Sequence, residues 1–344
     1  MKKILAMLMA IAVVMSLVAC GSKDTSGKGD EKNEWTSYNL KMGTIWTDAD
    51  PSTMAVEEFA SLVSEATDGA VKVTCYNNSQ LGGSTELLSG MPAGTLEMYH
   101  GRISTYGFLE AASMFNICAA PFIWDSNKEL YDFLQSDTAK KWFDEAAAAT
   151  GVRVIVAKGE CEARELTSNK PVANADDFNG LAIRTADSTV VQSTMKALGA
   201  NPQVVQFSDL YMALRQGTVD AQENGFITVK NNSLYEVQKY LMRTDYIRDI
   251  SIFCIAENVW KQLNEKTQNM LIECAEKAAD VGTEATNSQI EEAFNYLKTV
   301  MEYVECDVGS IQDKLGNVYE ELDGTCWAKG AYEAVKTFKA SYKG

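Results

Sequence analysis

The sequence predicts an α/β protein made of two lobes. Its 344 residues are more than one hydrophobic core usually serves. Short apolar runs alternate with amphipathic segments of helical periodicity, the order that is typical of α/β domains. A second series of this kind begins after residue 160, so we expect the second lobe to be inserted between parts of the first.

The first lobe is predicted to start with a strand in SYNLKMGTIW. The following segment, DPSTMAVEEFASLVSEATDG, has a helical pattern with Ser52 as the N-cap, Met54 and Phe59 on one face, and Gly69 as the stop. Further strands are predicted in AVKVTCYN, LEMYHG and VRVIVAKGE, and a single helix in NKELYDFLQSDTAKKWFDEAAAATG.

The second lobe is predicted from strands in PVANADDFNGLAIRT, NPQVVQF and TVDAQENG, the last at a sheet edge, and from helices in DSTVVQSTMKALGA and SDLYMALRQG. Two successive strands are expected in YLMRTDYIRDISIFCIAENVW. From residue 264 onward the pattern is helical, with one or two long helices followed by two shorter ones.

Residues 1–20, MKKILAMLMAIAVVMSLVAC, have the features of a secretory signal peptide: Lys2 and Lys3, an apolar stretch from Ile4 to Val18, and small residues at the end. The closing LVAC resembles a bacterial lipobox, which implies cleavage before Cys20 and lipid attachment to its thiol. An uncleaved membrane helix fits less well, because the apolar stretch is shorter than the roughly 20 residues that a bilayer span needs.

Residues 21–34 are rich in Gly, Ser, Lys and Asp and predict a flexible tether. The folded body is expected to divide into lobe I, formed by residues 35–159 with 249–290, and lobe II, formed by residues 160–248 with 291–344 and including the C-terminal helices.

The net charge of −16 and the absence of a basic run beyond the first three residues argue against nucleic acid or an anionic lipid surface as a partner. Seven cysteines remain besides Cys20, and no two are spaced as CxxC. An odd number scattered through apolar segments favours buried thiols, with one or two disulfides left open.

The common enzyme motifs GxSxG, GxxxxGK, HExxH and GxGxxG are missing. His100 has no nucleophile close in sequence and is expected to be a packing residue. Asp48 and Asp50 lack the rest of a calcium loop, and a capping or turn role is expected for them. We therefore expect no cofactor and no metal.

Arg184 ends the predicted strand in GLAIRTADS. In an open α/β sheet such a position faces the crevice beyond the carboxyl ends of the strands, where ligands bind. A guanidinium group matches a carboxylate with two parallel hydrogen bonds. We predict that Arg184 binds a ligand carboxylate. The alternative is a structural ion pair with Asp176 or Asp177.

Several ordered segments resemble the solute-binding proteins of TRAP transporters, close to their dicarboxylate-binding, DctP-like branch. They are GLAIRTADS, KALGANPQVVQFSDLYMALRQGTVDAQENG, SLYEVQKYL, VKVTCYNNSQLGG and CEARELTSNKPVANADDFNG. The resemblance extends from about residue 38 to about residue 280. It implies an extracytoplasmic receptor with a periplasmic-binding-protein type II-like fold, a hinge and a ligand cleft between its lobes. Such a receptor delivers a small organic acid, a C4-dicarboxylate, sugar acid or similar carboxylate, to the permease subunits of an ion-gradient-driven transporter.

The resemblance also implies residue roles. Arg184 corresponds to the arginine that forms a salt bridge with the ligand, Arg164 to a second arginine of the site, Asn224 to the asparagine after QE, and Phe207 to an aromatic that packs on the solute. On local grounds Arg164 could instead belong to the structure, Asn224 could hold a turn and Phe207 could be core.

Gln80 and Glu86, in and after SQLG, are weaker ligand-binding candidates from the other lobe. Glu86 would favour a polyhydroxylated or amino-bearing ligand over a plain dicarboxylate. Asp48 stands where many relatives have a histidine, and Gly225 where many have a proline.

The leading hypothesis is a lipid-anchored, extracytoplasmic receptor without enzymatic activity. Two alternatives remain open: an extracytoplasmic enzyme acting on a sugar acid through Glu86, Asp48 and Glu223, and a binding protein of an ABC importer or a sensor.

Overall fold

The computed structural model describes residue 35 and residues 37–344. The predicted signal peptide, Cys20 and the predicted tether lie outside the described residues. Within the described part, no helix combines the length and the apolar character needed to cross a bilayer.

Eleven strands occur in the described part of the chain. They are β1 (Tyr38–Gly43), β2 (Val71–Tyr76), β3 (Met98–Arg102), β4 (Val152–Glu160), β5 (Arg164–Ser168), β6 (Ala182–Thr185), β7 (Asn201–Val204), β8 (Ala221–Asn224), β9 (Tyr240–Ile247), β10 (Ile250–Ala256) and β11 (Glu302–Tyr303).

The strands form two mixed sheets. The first has the order β2-β1-β3-β10-β4, with β1 parallel to β2 and β3 and with β10 antiparallel to β3 and β4. The second has the order β11-β9-β5-β8-β6-β7, with β6 parallel to β7 and β8 and with β5 antiparallel to β8 and β9. The chain therefore passes through β5 to β9 of the second sheet before β10 returns to the first.

Thirteen α-helices lie between and after these strands in the described residues. They are α1 (Pro51–Ala66), α2 (Ser84–Gly90), α3 (Ile103–Tyr106), α4 (Asn127–Leu134), α5 (Asp137–Thr150), α6 (Thr189–Ala197), α7 (Leu210–Arg215), α8 (Phe226–Asn231), α9 (Glu257–Trp260), α10 (Glu265–Val300), α11 (Val308–Leu315), α12 (Val318–Leu322) and α13 (Ala331–Ser341).

The N-terminus of α1 differs in part from the prediction: Ser52 is not the cap, whereas Asp50 has the expected capping role. Asp50, not Ser52, is the N-cap, and its carboxylate accepts a hydrogen bond from the Ser52 amide at 2.9 Å. Pro51 takes the first helical position, where a missing N–H costs nothing. Met54 is 39% exposed and does not share the buried face of Phe59.

Other differences concern helix boundaries. The single helix predicted for residues 127–151 is two helices. The first, α4, ends at Leu134, and Ser136 begins α5 as its N-cap by accepting a hydrogen bond from the Ala139 amide. β8, predicted at an edge, lies between β5 and β6. The tail after α10 holds three helices rather than two.

Helix α10 connects the cores of the two sheets. Its first half packs Leu271 and Ala275 into a cluster with Phe59 and Phe253 beside the first sheet. Its second half contributes Leu297 and its neighbours to a cluster beside the second sheet. At about 1.5 Å per residue, the 36-residue helix is about 54 Å long, which is long enough to span both clusters.

Seven cysteines in the described residues carry free thiols, five of them buried. This agrees with the expectation of thiols over a disulfide framework. They are Cys75, Cys118, Cys161, Cys254, Cys274, Cys306 and Cys326.

Candidate ligand-binding site

Strand ends from both sheets line one cavity that is open to solvent. Arg102 is the last residue of β3, and Arg184 and Asn224 lie at the carboxyl ends of β6 and β8. Since β5 runs antiparallel to β8, its first residue, Arg164, lies at the same edge as Asn224. Trp46 follows β1 and faces the cavity from the first sheet.

Arg184 is buried at the wall of this cavity, with 3% of its surface exposed. Its Nε donates to the backbone oxygen of Val205 at 2.9 Å. Neither terminal nitrogen has a hydrogen-bond or ion-pair partner among the described residues. Burial lowers the pKa of Arg184 to about 10; Glu223 opposes this shift and Arg164 adds to it. The side chain therefore remains charged at neutral pH but lacks a counterion in contact.

The predicted alternative for Arg184 is not formed. Asp176 pairs with Lys314 at 3.3 Å. The Asp177 carboxylate accepts from the Ala173 amide at 2.8 Å. Both acidic side chains are thus engaged away from Arg184.

Arg164 lies at the same wall but is already paired. Its Nε and Nη2 donate to the two carboxylate oxygens of Glu223, the second at 2.8 Å, and Nη2 also donates to the Glu223 backbone oxygen at 2.7 Å. Burial lowers the pKa of Arg164, but the charge and hydrogen bonds of Glu223, with the charges of Tyr246 and Asp249, together raise it by more, so the net shift is upward. Tyr246 donates its hydroxyl to Glu223 at 2.5 Å. This buried group holds Arg164 in one orientation.

Asn224 is fixed by its neighbours in the second sheet. Its Nδ2 donates to Gln222 Oε1 at 2.6 Å, and its Oδ1 accepts from Arg164 at 3.4 Å. Gln222 in turn donates to Thr167 at 2.8 Å. A buried chain of hydrogen bonds therefore supports the cavity wall from behind.

Aromatic rings join the two sides of the cavity. Phe207 lies 5.8 Å from the Arg184 guanidinium carbon, measured to the ring centroid. Its ring meets Trp46 edge-on, with centroids 5.9 Å apart. Trp46 in turn covers Arg102, whose guanidinium carbon is 4.6 Å from the ring centroid. Each arginine thus contacts a ring, and the two rings contact each other.

The structure adds residues that the sequence analysis did not select. Arg102 ends β3 and Trp46 comes shortly after β1, so the strand-end rule that selected Arg184 could also have found them. The first-sheet wall also carries five hydroxyl-bearing residues: Ser84, Thr85, Tyr99, Ser104 and Thr105.

Three predicted residues do not line the cavity. Glu86 is exposed near its rim and accepts from Gln206 Nε2 at 3.4 Å. Asp48, between β1 and α1, is exposed and accepts from Asn77 at 3.4 Å. Gln80, between β2 and α2, is also exposed. In contrast, Arg184, Arg164, Asn224 and Phe207 are brought together in the cavity.

The carboxylates that the enzyme hypothesis requires do not meet at the cavity. Glu223 is fully buried behind Arg164, whereas Glu86 and Asp48 are exposed outside the lining. In the described residues, no three His, Cys, Asp or Glu side chains are grouped to hold a metal ion.

The fold and the cavity are those of a solute-binding protein. The sequence model of the family described as "Bacterial extracellular solute-binding protein, family 7" matches residues 42–321. The chain belongs to this family, whose members are the solute-binding proteins of TRAP transporters and have the two-lobed periplasmic-binding-protein fold. These proteins are extracytoplasmic and work with membrane permease subunits.

Three proteins of known name or structure are similar to the chain in sequence. The sialic acid-binding periplasmic protein SiaP of Vibrio cholerae is 26% identical over 83% of this chain and 88% of its own. The C4-dicarboxylate-binding periplasmic protein DctP of Rhodobacter capsulatus is 27% identical over 75% of this chain and 77% of its own. A TRAP solute-binding protein of Roseobacter denitrificans, solved with bound L-galactonate, is 26% identical, has a TM-score of 0.80, and covers 88% of this chain and 99% of its own.

Gly225 permits a close contact beneath the site. The Glu162 carboxylate accepts from the amides of Ile227 and Thr228, at 2.7 and 3.0 Å, at the start of α8. A Cβ atom at residue 225 would lie 2.1 Å from the Glu162 Cδ. The glycine at residue 225 therefore leaves room for this buried carboxylate, which a side chain at that position would displace.

We predict that Gly225→Ala destabilises the protein by about 1–3 kcal/mol, because the added methyl group overlaps Glu162. Urea unfolding measures this change. The control is Gly309→Ala in α11, where the new Cβ has no neighbour closer than 3.3 Å and no loss is expected. A Gly225→Ala variant as stable as the parent would contradict the packing described.

Proposed function

We propose that the protein captures a small organic acid by a salt bridge between the ligand carboxylate and Arg184. The observation that carries this proposal is a buried guanidinium, at a cavity wall, whose two terminal nitrogens lack a protein partner. A buried charge without a partner is costly, and a bound carboxylate supplies both the charge and the two acceptors that the group lacks.

The neighbouring residues support a ligand held in one orientation. Arg164 is oriented by Glu223 and retains Nη1, which has no partner among the described residues, for a second contact. Asn224 is held beside it. Phe207 provides an apolar surface against which the carbon chain of a ligand packs.

The chemistry of similar proteins points to the same class of ligand. The relatives described above are named for, or were solved with, sialic acid, C4-dicarboxylates and L-galactonate, all of which carry a carboxylate. The hydroxyl groups of Ser84 and Thr85 favour a sugar acid over a plain dicarboxylate, because they can donate to ligand hydroxyl groups. The other three hydroxyl groups at this wall already donate within the protein.

Closure of the cleft is the proposed signal to the transporter. The rings of Trp46 and Phe207 are in contact, and Gln206 donates a hydrogen bond to Glu86 near the rim of the cavity. A ligand that contacts both walls stabilises this arrangement over an open one, and the permease subunits distinguish the two shapes.

Arg184→Gln is expected to weaken binding of the cognate acid by about 100-fold or more, because two charge-assisted hydrogen bonds of about 1.5–3 kcal/mol each are lost. The acid that co-purifies, identified by mass spectrometry, is titrated calorimetrically against the protein. Arg215→Gln removes an equal charge from an exposed position on α7 and should leave the affinity unchanged. An Arg184→Gln variant with the parent's affinity would refute the salt bridge.

We further propose that Cys20 is the lipid attachment site and anchors the protein on the outer side of the membrane. The lipobox-like LVAC and the polar residues 21–34 that follow it support this assignment. Cys20→Ala should shift the protein from the membrane fraction to the soluble fraction and remove the diacylglyceryl mass from the N-terminal peptide. A Cys20→Ala variant that fractionates with the membrane as the parent does would contradict the anchor.

A further inference from the structure

Arg102 is a second buried guanidinium in the cavity, contributed by the first sheet. It is 5% exposed and forms no ion pair among the described residues. Its Nη1 donates only to the Glu162 backbone oxygen at 3.4 Å, and its Nε has no hydrogen-bond partner. The donors of this side chain are therefore largely unused, although it lines the same cavity as Arg184.

The carboxylates near Arg102 are engaged elsewhere. Asp249 accepts from the amide and hydroxyl of Ser104, and Glu162 accepts from residues at the start of α8. Their charges favour the charged form of Arg102, but their oxygens do not saturate its donors. Trp46 covers one face of the guanidinium and restricts its orientation.

Arg102 comes from the first sheet and Arg184 from the second, and both line the cavity. The contacts run from Arg102 to Trp46, from Trp46 to Phe207 and from Phe207 to Arg184, so the two cations flank a pair of aromatic rings. Ser84 and the neighbouring hydroxyl-bearing residues line the same cavity. A molecule with an acid group at each end and hydroxyl groups between them complements this arrangement.

We propose that Arg102 is a second anion-binding residue and that the ligand is a polyhydroxylated diacid, with one carboxylate on Arg184 and the other on Arg102. This inference rests on the proposed function of Arg184 and specifies its ligand. Under this proposal Arg102 determines the preference for diacids over mono-acids, because a sugar mono-acid would leave the donors of its guanidinium without acceptors.

The test compares diacids and mono-acids that share a carbon skeleton. The purified protein is titrated calorimetrically with galactarate and L-galactonate, D-glucarate and D-gluconate, and L-tartrate and L-threonate. In the pair that binds best, the diacid is expected to bind at least about tenfold more tightly. A parent protein that binds the mono-acid as tightly as the diacid overturns this inference but leaves the proposed function intact.

Variants separate a direct contact from a structural role. Arg102→Gln should weaken the diacid at least about tenfold and the mono-acid no more than about threefold, whereas Arg184→Gln should weaken both. Equal losses for both ligands in Arg102→Gln would mean that Arg102 only positions Trp46 or the residues near Glu162, and would overturn the inference. If Arg102→Gln fails to fold, Arg102→Lys retains the charge without the planar fork and should reduce the same diacid preference.

Two further outcomes are distinguishable. Tighter binding of 6-phosphogluconate than of D-glucarate would place a phosphate on Arg102 and overturn the assignment of a diacid. Failure of all six acids to bind the parent protein would overturn this inference, whereas the proposed function is tested separately with the acid that co-purifies.

Discussion

The buried guanidinium of Arg184 is the constraint on which the arrangement of the site depends. Burial disfavours its charge and lowers its pKa to about 10, yet it contacts no carboxylate of the described chain. A protein interior tolerates such a group when another component supplies the missing charge. In the proposed function an anion in the cavity supplies that charge, and this would link ligand recognition directly to stabilisation of the closed form.

The two arginines of the second sheet differ in how firmly the protein holds them. Arg164 is held by Glu223 and Tyr246, so its position is set before a ligand arrives. Arg184 is anchored only through Nε, on the Val205 backbone oxygen, and presents its outer nitrogens to the cavity. Preorganised donors lose little freedom on binding, so more of their interaction energy appears as affinity. The large negative net charge of the protein does not prevent this, since distant charges are screened beyond about 8 Å at physiological salt.

Sequence reasoning predicted those parts of the structure that local rules determine. The alternation of strands and helices predicted an α/β fold with two series of strands, and the strand-end rule predicted that Arg184 faces the cavity. It failed on the central position of β8, which distant packing decides. It also missed the local cap at Ser136 that separates α4 from α5, and the exposure of Met54. Arg102 escaped selection because the predicted strand was ended at Gly101, one residue early. The partner that holds Arg164, Glu223, lies 59 residues away and is fixed only by the antiparallel pairing of β5 and β8.

The most direct measurement is a crystal structure of the protein purified with the acid that it retains from its host, with that acid identified by mass spectrometry. The account predicts a ligand carboxylate within about 3 Å of the two terminal nitrogens of Arg184, with the ligand carbon chain against Phe207. A carboxylate bound elsewhere in the cavity, with Arg184 turned to a protein acid or to solvent, would contradict it.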